Sequence, residues 1–185
     1  MNQMVLRRVS WTVLFWISIV GLGVGMTVAV FLVSSESGFR TGWQGIPAFL
    51  VIAGLLGRIG NCKVILRDGV LTVVNPLRTH ILPKSAIRGV SADDGGTLRF
   101  HLDHDREISA FAFGGSMIDH FVGSSAKAER KVETWLRSDP AGSEAAAEAV
   151  APQARWTRCA STDAALVLAV VVAAVGAVWM ALTGS

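Results

Sequence analysis

Three apolar stretches and one alternating stretch divide the chain. The first, VSWTVLFWISIVGLGVGMTVAVFLV, covers residues 9–33 and carries no charge. A run of about 25 residues crosses a bilayer with some tilt. Arg7 and Arg8 before it also fit the basic start of a secretory signal peptide. The run is long for the apolar part of such a peptide, and no clear small-residue cleavage site follows. The pattern therefore predicts a retained helix. The second run, WQGIPAFLVIAGLLGRIG, covers residues 43–60 and is the weakest. Pro47 sits in its first turn, where a missing N–H costs little. Arg58 stands at its far end, from which it can snorkel to headgroups. The short spacing from the first run suits a helical hairpin, with a re-entrant segment as the alternative. The third run, ALVLAVVVAAVGAVWMAL, covers residues 165–182, with Trp156 before it and Trp179 near its end, where interfacial aromatics are expected.

Between the second and third runs the hydropathy pattern changes. Residues 62–67 (CKVILR) and 70–74 (VLTVV) read as strands around an Asp68-Gly69 turn. Asn75-Pro76-Leu77 is a turn, and residues 78–82 (RTHIL) are a third strand closed by Pro83. Residues 86–92 make a fourth, and a turn at residues 93–96 leads to residues 97–102 (TLRFHL). That strand puts Leu98, Phe100 and Leu102 on one face and Arg99 and His101 on the other. EISAFAF follows at residues 107–113. The period then becomes helical. In SSAKAERKVETWLRS, Ala128, Val132, Trp135 and Leu136 share one side, with Ser124 or Ser125 as the N-cap. The expected fold class is α+β: transmembrane helices plus a small antiparallel β barrel or sandwich closed by a C-terminal helix. The expected organisation is a membrane hairpin at residues 1–61, a domain at 62–138, an Ala/Pro-containing linker and basic flank at 139–163, and a last helix at 164–185.

The alternating segment also carries a resemblance. Val64 to His80, VILRDGVLTVVNPLRTH, resembles the bacterial PH-like domain of actinobacterial membrane proteins of the low-molecular-weight protein antigen type. The shared phrase is the Asp68-Gly69 turn, a strand, Asn75 to His80, and a strand ending at Pro83. Residues 85–90 resemble the next strand, so the similarity extends over residues 62–136. It implies a PH-like barrel, and two helices ahead of it fit that family. It carries over no catalytic residue and no agreed ligand.

Charge sets the expected orientation. Arg7 and Arg8 precede the first run, Arg58, Lys63 and Arg67 follow the second, and Arg155 and Arg158 precede the third. All fall on one side if the N-terminus and the domain are cytoplasmic and the C-terminus is outside. Arg7, Arg8, Arg58, Arg155, Trp156 and Arg158 are the expected membrane-interface anchors. The net charge of +3 and mean hydropathy of +0.48 fit a multi-pass membrane protein. No Lys/Arg run is interleaved with aromatics, so nucleic acid is not an expected partner.

Candidate chemistry is sparse. Lys63, Arg67, Arg78, Lys84 and Arg88 form a candidate contact for an anionic surface, worth on the order of 1 kcal/mol per cation beside such a membrane. His101, Asp103, His104 and Asp105 suggest a metal site, but in a hairpin the spacing reads as a polar tip. Cys62 and Cys159 have no metal-ligand spacing and read as small free thiols. GLGVG at residues 21–25 lies inside an apolar helix and reads as a close-packing face rather than a phosphate loop. No nucleophile elbow occurs, and Ser116, Asp119 and His120 assemble no dyad. No acid, Lys or His interrupts the apolar runs. The expectation is a non-enzymatic membrane protein without cofactor or metal, whose partners are the bilayer and another protein. A headgroup- or peptide-binding sensor and an accessory subunit of a transporter or envelope enzyme are the alternatives.

Overall fold

The computed structural model describes residues 3–67, 69–93, 96–103, 106–113, 124–138 and 151–183. In chain order its elements begin with β1 (Met4–Leu6), α1 (Val9–Ser37), α2 (Phe39–Gly42) and α3 (Gly45–Gly60). Then come β2 (Lys63–Arg67), β3 (Val70–Val74), β4 (Arg78–Pro83), β5 (Ile87–Ala92), β6 (Leu98–Leu102) and β7 (Glu107–Ala110). The last are α4 (Ser124–Arg137), β8 (Gln153–Trp156) and α5 (Ala160–Thr183). The chain forms two compact units. One comprises Met1–Val9 and Asn61–Thr157, the other Ser10–Gly60 and Arg158–Ser185.

The first unit holds two antiparallel sheets. Five strands run in the order β1-β2-β3-β4-β8, and three in the order β5-β6-β7. Alternation along β2, β3 and β6 puts Val64, Leu66, Leu71, Val73, Leu98, Phe100 and Leu102 into one core. The amphipathic α4 adds Ala128 and Val132 to that core, with Trp135 and Leu136 against it, and packs on β5 and β6. Ser125 is not a cap. It lies inside the helix, is buried, and its hydroxyl donates to the Gly96 carbonyl. Gly69 adopts φ 77° in the turn after β2, a conformation few other residues take without strain. Its carbonyl accepts from Lys84 N–H at 2.8 Å, which ties that turn to the chain leaving β4.

A barrel or sandwich closed by a helix was expected; the strands lie in two antiparallel sheets that do not close into a barrel. Between β4 and β5 the chain makes a 3-10 turn at Lys84–Ala86, entered through Pro83. Among the described residues β5 then pairs only with β6, across a register shift between Ile87 and Gly89. The turn redirects the backbone into a second sheet before a β4–β5 ladder can form.

Two strands lie where sequence reading places a flank and a linker. β1 pairs with β2 from Met4↔Leu66 to Leu6↔Val64, and β8 pairs with β4 from Arg78↔Trp156 to Ile81↔Gln153. The antiparallel order has a geometric result. The C-terminal end of β1, the N-terminal end of β2 and the C-terminal end of β8 lie at one end of the sheet. The chain passes between the units after Leu6, before Lys63 and after Trp156, so all three passages leave from that end.

The second unit contains three helical segments long and apolar enough to cross a membrane: Ser10–Ser37, Phe39–Gly60 and Ala160–Thr183. α3 and α5 pack antiparallel through small residues. A Cβ on Gly54 would lie 2.9 Å from Leu166, and one on Gly57 2.6 Å from Thr162. Farther along, Gly176 accommodates the Trp43 ring. Among the described residues nothing packs on the face expected at Gly21 and Gly25, since a Cβ added at either would meet nothing within 4 Å. Gly23 between them faces Phe49 instead. α5 starts five residues before its apolar run and so includes Asp163. The acid lies in the helix but outside the apolar run itself. Arg58 does not reach outward but is buried and paired with Asp163, whose second oxygen accepts from Cys159 N–H at 3.1 Å. An acid in the first turn of a helix is favoured by the helix dipole, and here its carboxylate compensates the burial of the Arg58 guanidinium. At the other end Arg40 donates to the Met180 and Thr183 carbonyls at 3.4 and 3.2 Å, closing the C-terminus of α5.

Candidate functional site

The first unit is tied together at Asn75. Its backbone N–H bonds Arg78 O at 3.0 Å, closing the β3–β4 turn. Its side chain reaches the other sheet, donating to Ser109 O at 2.9 Å and accepting from Phe111 N–H at 2.8 Å. Its carbonyl accepts from the Thr157 hydroxyl at 2.8 Å, and Leu77 O accepts from Thr157 N–H at 3.0 Å. One turn thus fixes β3, β4, β7 and the end of β8 at the end of the sheet where the passages leave.

The five cations expected to form one patch are spread over two ends and two faces. Lys63 heads an outer-face row that runs through Val74 and Thr79 to Arg155. Arg78 is on the opposite face beside Trp156, with His80 two residues on. Leu77 and Trp156, 55% and 62% exposed, add apolar surface at this same end. Burial and the Arg78 cation hold the His80 imidazole below its ordinary pKa. Arg67 and Lys84 lie at the far end. Arg67 donates to Gln3 at 3.3 Å, while the Lys84 ammonium sits over the Trp135 ring and bonds Ser138 O. Arg88, on the second sheet, pairs with Asp103. Arg155 and Trp156 belong to β8 rather than to a helix flank. Arg8 is buried, and Arg7 and Arg158 stand beside the passages.

The solvent face of β5, β6 and β7 carries a polar ladder that sequence reading missed. Ser91 Oγ is 2.7 Å from His101 Nε2, and His101 Nδ1 is 3.1 Å from Glu107 Oε1. The connectivity is that of a hydroxyl–imidazole–carboxylate relay. Ser91 lies within a strand, however, not on the sharp turn that presents a nucleophile. Arg99 shares the ladder, bonding Asp93 at 2.9 Å and Glu107 at 3.3 Å, and the Asp93 hydrogen bond leads the interactions that stabilise its charge. The arrangement is a set of cross-strand polar pairs holding three strands in register. Only strand pairing, absent from the linear order, brings Ser91 and Glu107 to His101.

No His/Cys/Asp/Glu group of metal-binding size occurs among the described residues. His104, Asp105, Ser116, Asp119 and His120 lie outside them, as do Asp68, Asp94, Gly95 and residues 139–150. Both cysteines are free thiols. Burial pushes Cys62 up to about 12, while hydrogen bonds with Thr162 and Ser161 lower Cys159 despite its burial.

One recess remains. Met4, Arg130, Lys131, Thr134, Trp135 and Ser138 line a groove of about 360 Å³ between β1 and α4. Trp135 is held there by its indole N–H, which donates to Arg67 O at 3.2 Å.

A family model described as the bacterial PH domain matches residues 61–115, from the entry to β2 through the turn after β7. This part of the chain is therefore similar to a bacterial PH domain. No curated protein and no solved structure matches the chain.

Proposed function

We propose that this is an integral membrane protein whose PH-like domain is a non-enzymatic interaction module, anchored by three spanning helices and presented on the cytoplasmic face to a protein partner. The observation that carries the reading is the departure of all three chain passages from one end of the five-stranded sheet. Such an attachment leaves the opposite end, with the groove beside α4, clear of chain passages. It also requires the N-terminal flank, the second helix and the third helix to meet the domain on the same side of the bilayer. That agrees with the distribution of Arg7, Arg8, Lys63, Arg155 and Arg158.

Contact with anionic headgroups is a second reading. The Lys63–Arg155 row, Arg78, Leu77 and Trp156 favour it, because they combine cations with exposed apolar side chains at the passage end.

The test is topology in intact cells. Lys127→Cys in the domain and Ser185→Cys at the end of the chain are probed with an impermeant maleimide, with Cys62 and Cys159 replaced. Protection of the first and labelling of the second are expected. Labelling of the domain reporter from outside would refute the cytoplasmic assignment.

A further inference from the structure

We infer that the groove between β1 and α4 binds an extended, acidic peptide segment of a partner protein, which adds as a further strand along the outer edge of β1. The inference rests on the interaction reading above and gives that reading a site and a ligand class. Its first support is the open edge. β1 ends the five-stranded sheet, so among the described residues no strand pairs with its outer side. An unpaired edge offers a row of N–H and C=O groups to an incoming extended chain. Met4 and Val5 on it are 48% and 47% exposed.

The second support is the recess beside that edge. Its volume lies at the small end of the range for ligand clefts, about 300–1,000 Å³, which suits side chains of a bound strand rather than a compact ligand. Its floor is preformed, because Trp135 is fixed from one side by Arg67 O and from another by Lys84. An apolar side chain of the bound segment would rest on Met4 and Trp135.

The third support is charge. Arg130 and Lys131 line the groove, both exposed, and among the described residues neither joins an ion pair. Arg137, about two turns further along α4, is paired with Glu133 at 3.6 Å. Among the described lining residues none is a carboxylate. Two unpaired cations over an apolar floor, next to an open strand edge, complement a segment that alternates acidic and apolar residues.

The experiment uses the full chain in nanodiscs and a fluorescein-labelled short peptide of alternating Glu and Val, read by anisotropy. Saturable binding is expected, with no binding of the corresponding Lys–Val peptide. Arg130→Glu with Lys131→Glu, both surface changes, should weaken binding about tenfold or more. Met4→Glu, which puts a like charge at the groove mouth, should weaken it independently. Methylation of alternate peptide nitrogens should abolish it, since a strand then cannot pair. Absence of saturable binding, or binding indifferent to these variants or to methylation, overturns the site. So does a cross-linked cellular partner that the Arg130→Glu/Lys131→Glu protein retains in full, an outcome that leaves the interaction reading standing.

Discussion

His80 faces the edge of the core beside Arg78, and both burial and that cation disfavour its protonated form. The folded domain therefore binds this proton less readily than the unfolded chain, whose histidine titrates near ~6.5. The stability it contributes is complete above that pH and is lost as pH falls through it toward the lower folded value. The thermal midpoint of the full chain in nanodiscs should drop on acidification from neutral pH, and His80→Gln should remove part of that slope. Identical slopes in the two proteins would exclude the effect. At this scale the sequence was readable where chemistry is local. Asn75-Pro76 announces a turn because proline fixes φ and asparagine favours turns. The bonds from Asn75 to Ser109 and Phe111 were not readable, because they span more than thirty positions and depend on how two sheets meet.

Among the elements, alternation located β2, β3 and β6 well, since each has several residues with one face buried. It could not find β1 or β8. Three and four residues are too few to display a period, and β8 is exposed throughout, so its pairing with β4 is the whole of its signature. Amides in Gln153–Trp156 should nevertheless show protection in hydrogen exchange comparable to β1, because alternate N–H groups are bonded to β4. Exchange at the rate of an unstructured peptide would contradict the pairing. The start of α5 was misplaced for a related reason: hydropathy excludes Asp163, whereas its partner Arg58 lies far away in sequence. Helix packing makes a further prediction. Gly54→Leu should drive α3 from α5 and cost about 1–3 kcal/mol, seen as loss of helix at lower SDS fraction. Gly21→Leu, with nothing within 4 Å, should have little effect. Equal behaviour of the two would show that the α3–α5 contact contributes little.

For the whole molecule, apolar run lengths forecast helices of membrane-crossing size, and the resemblance carried by Val64 to His80 implied a domain of the kind that the family model matches. The sequence pattern leaves the choice between a barrel and a sandwich open. Counting strands cannot reveal that Pro83 and the turn at Lys84–Ala86 split them into two sheets. The candidate patch was over-read. Lys63, Arg67, Arg78, Lys84 and Arg88 are near one another in sequence, but strand direction and pleat send them to different ends and faces. Conversely, the groove joins Met4 to residues more than a hundred positions away, a proximity that only the finished fold creates.

The attachment of the sheet also has a mechanical side. β1 and β2 are joined to their helices at the same end, where Leu6 faces Val64. Tension that separates those helices is borne first by that pair of residues and then by each next pair. Antiparallel strands pulled apart from one shared end open like a zipper, one rung at a time, and yield at far lower load than strands sheared lengthwise. β8, continuous with α5 and held to β4 at Arg78↔Trp156, stands in the same position at the opposite margin. Lateral stress among the helices would therefore peel the margins of the sheet and spare its centre, and the margin at β1 is where the groove lies.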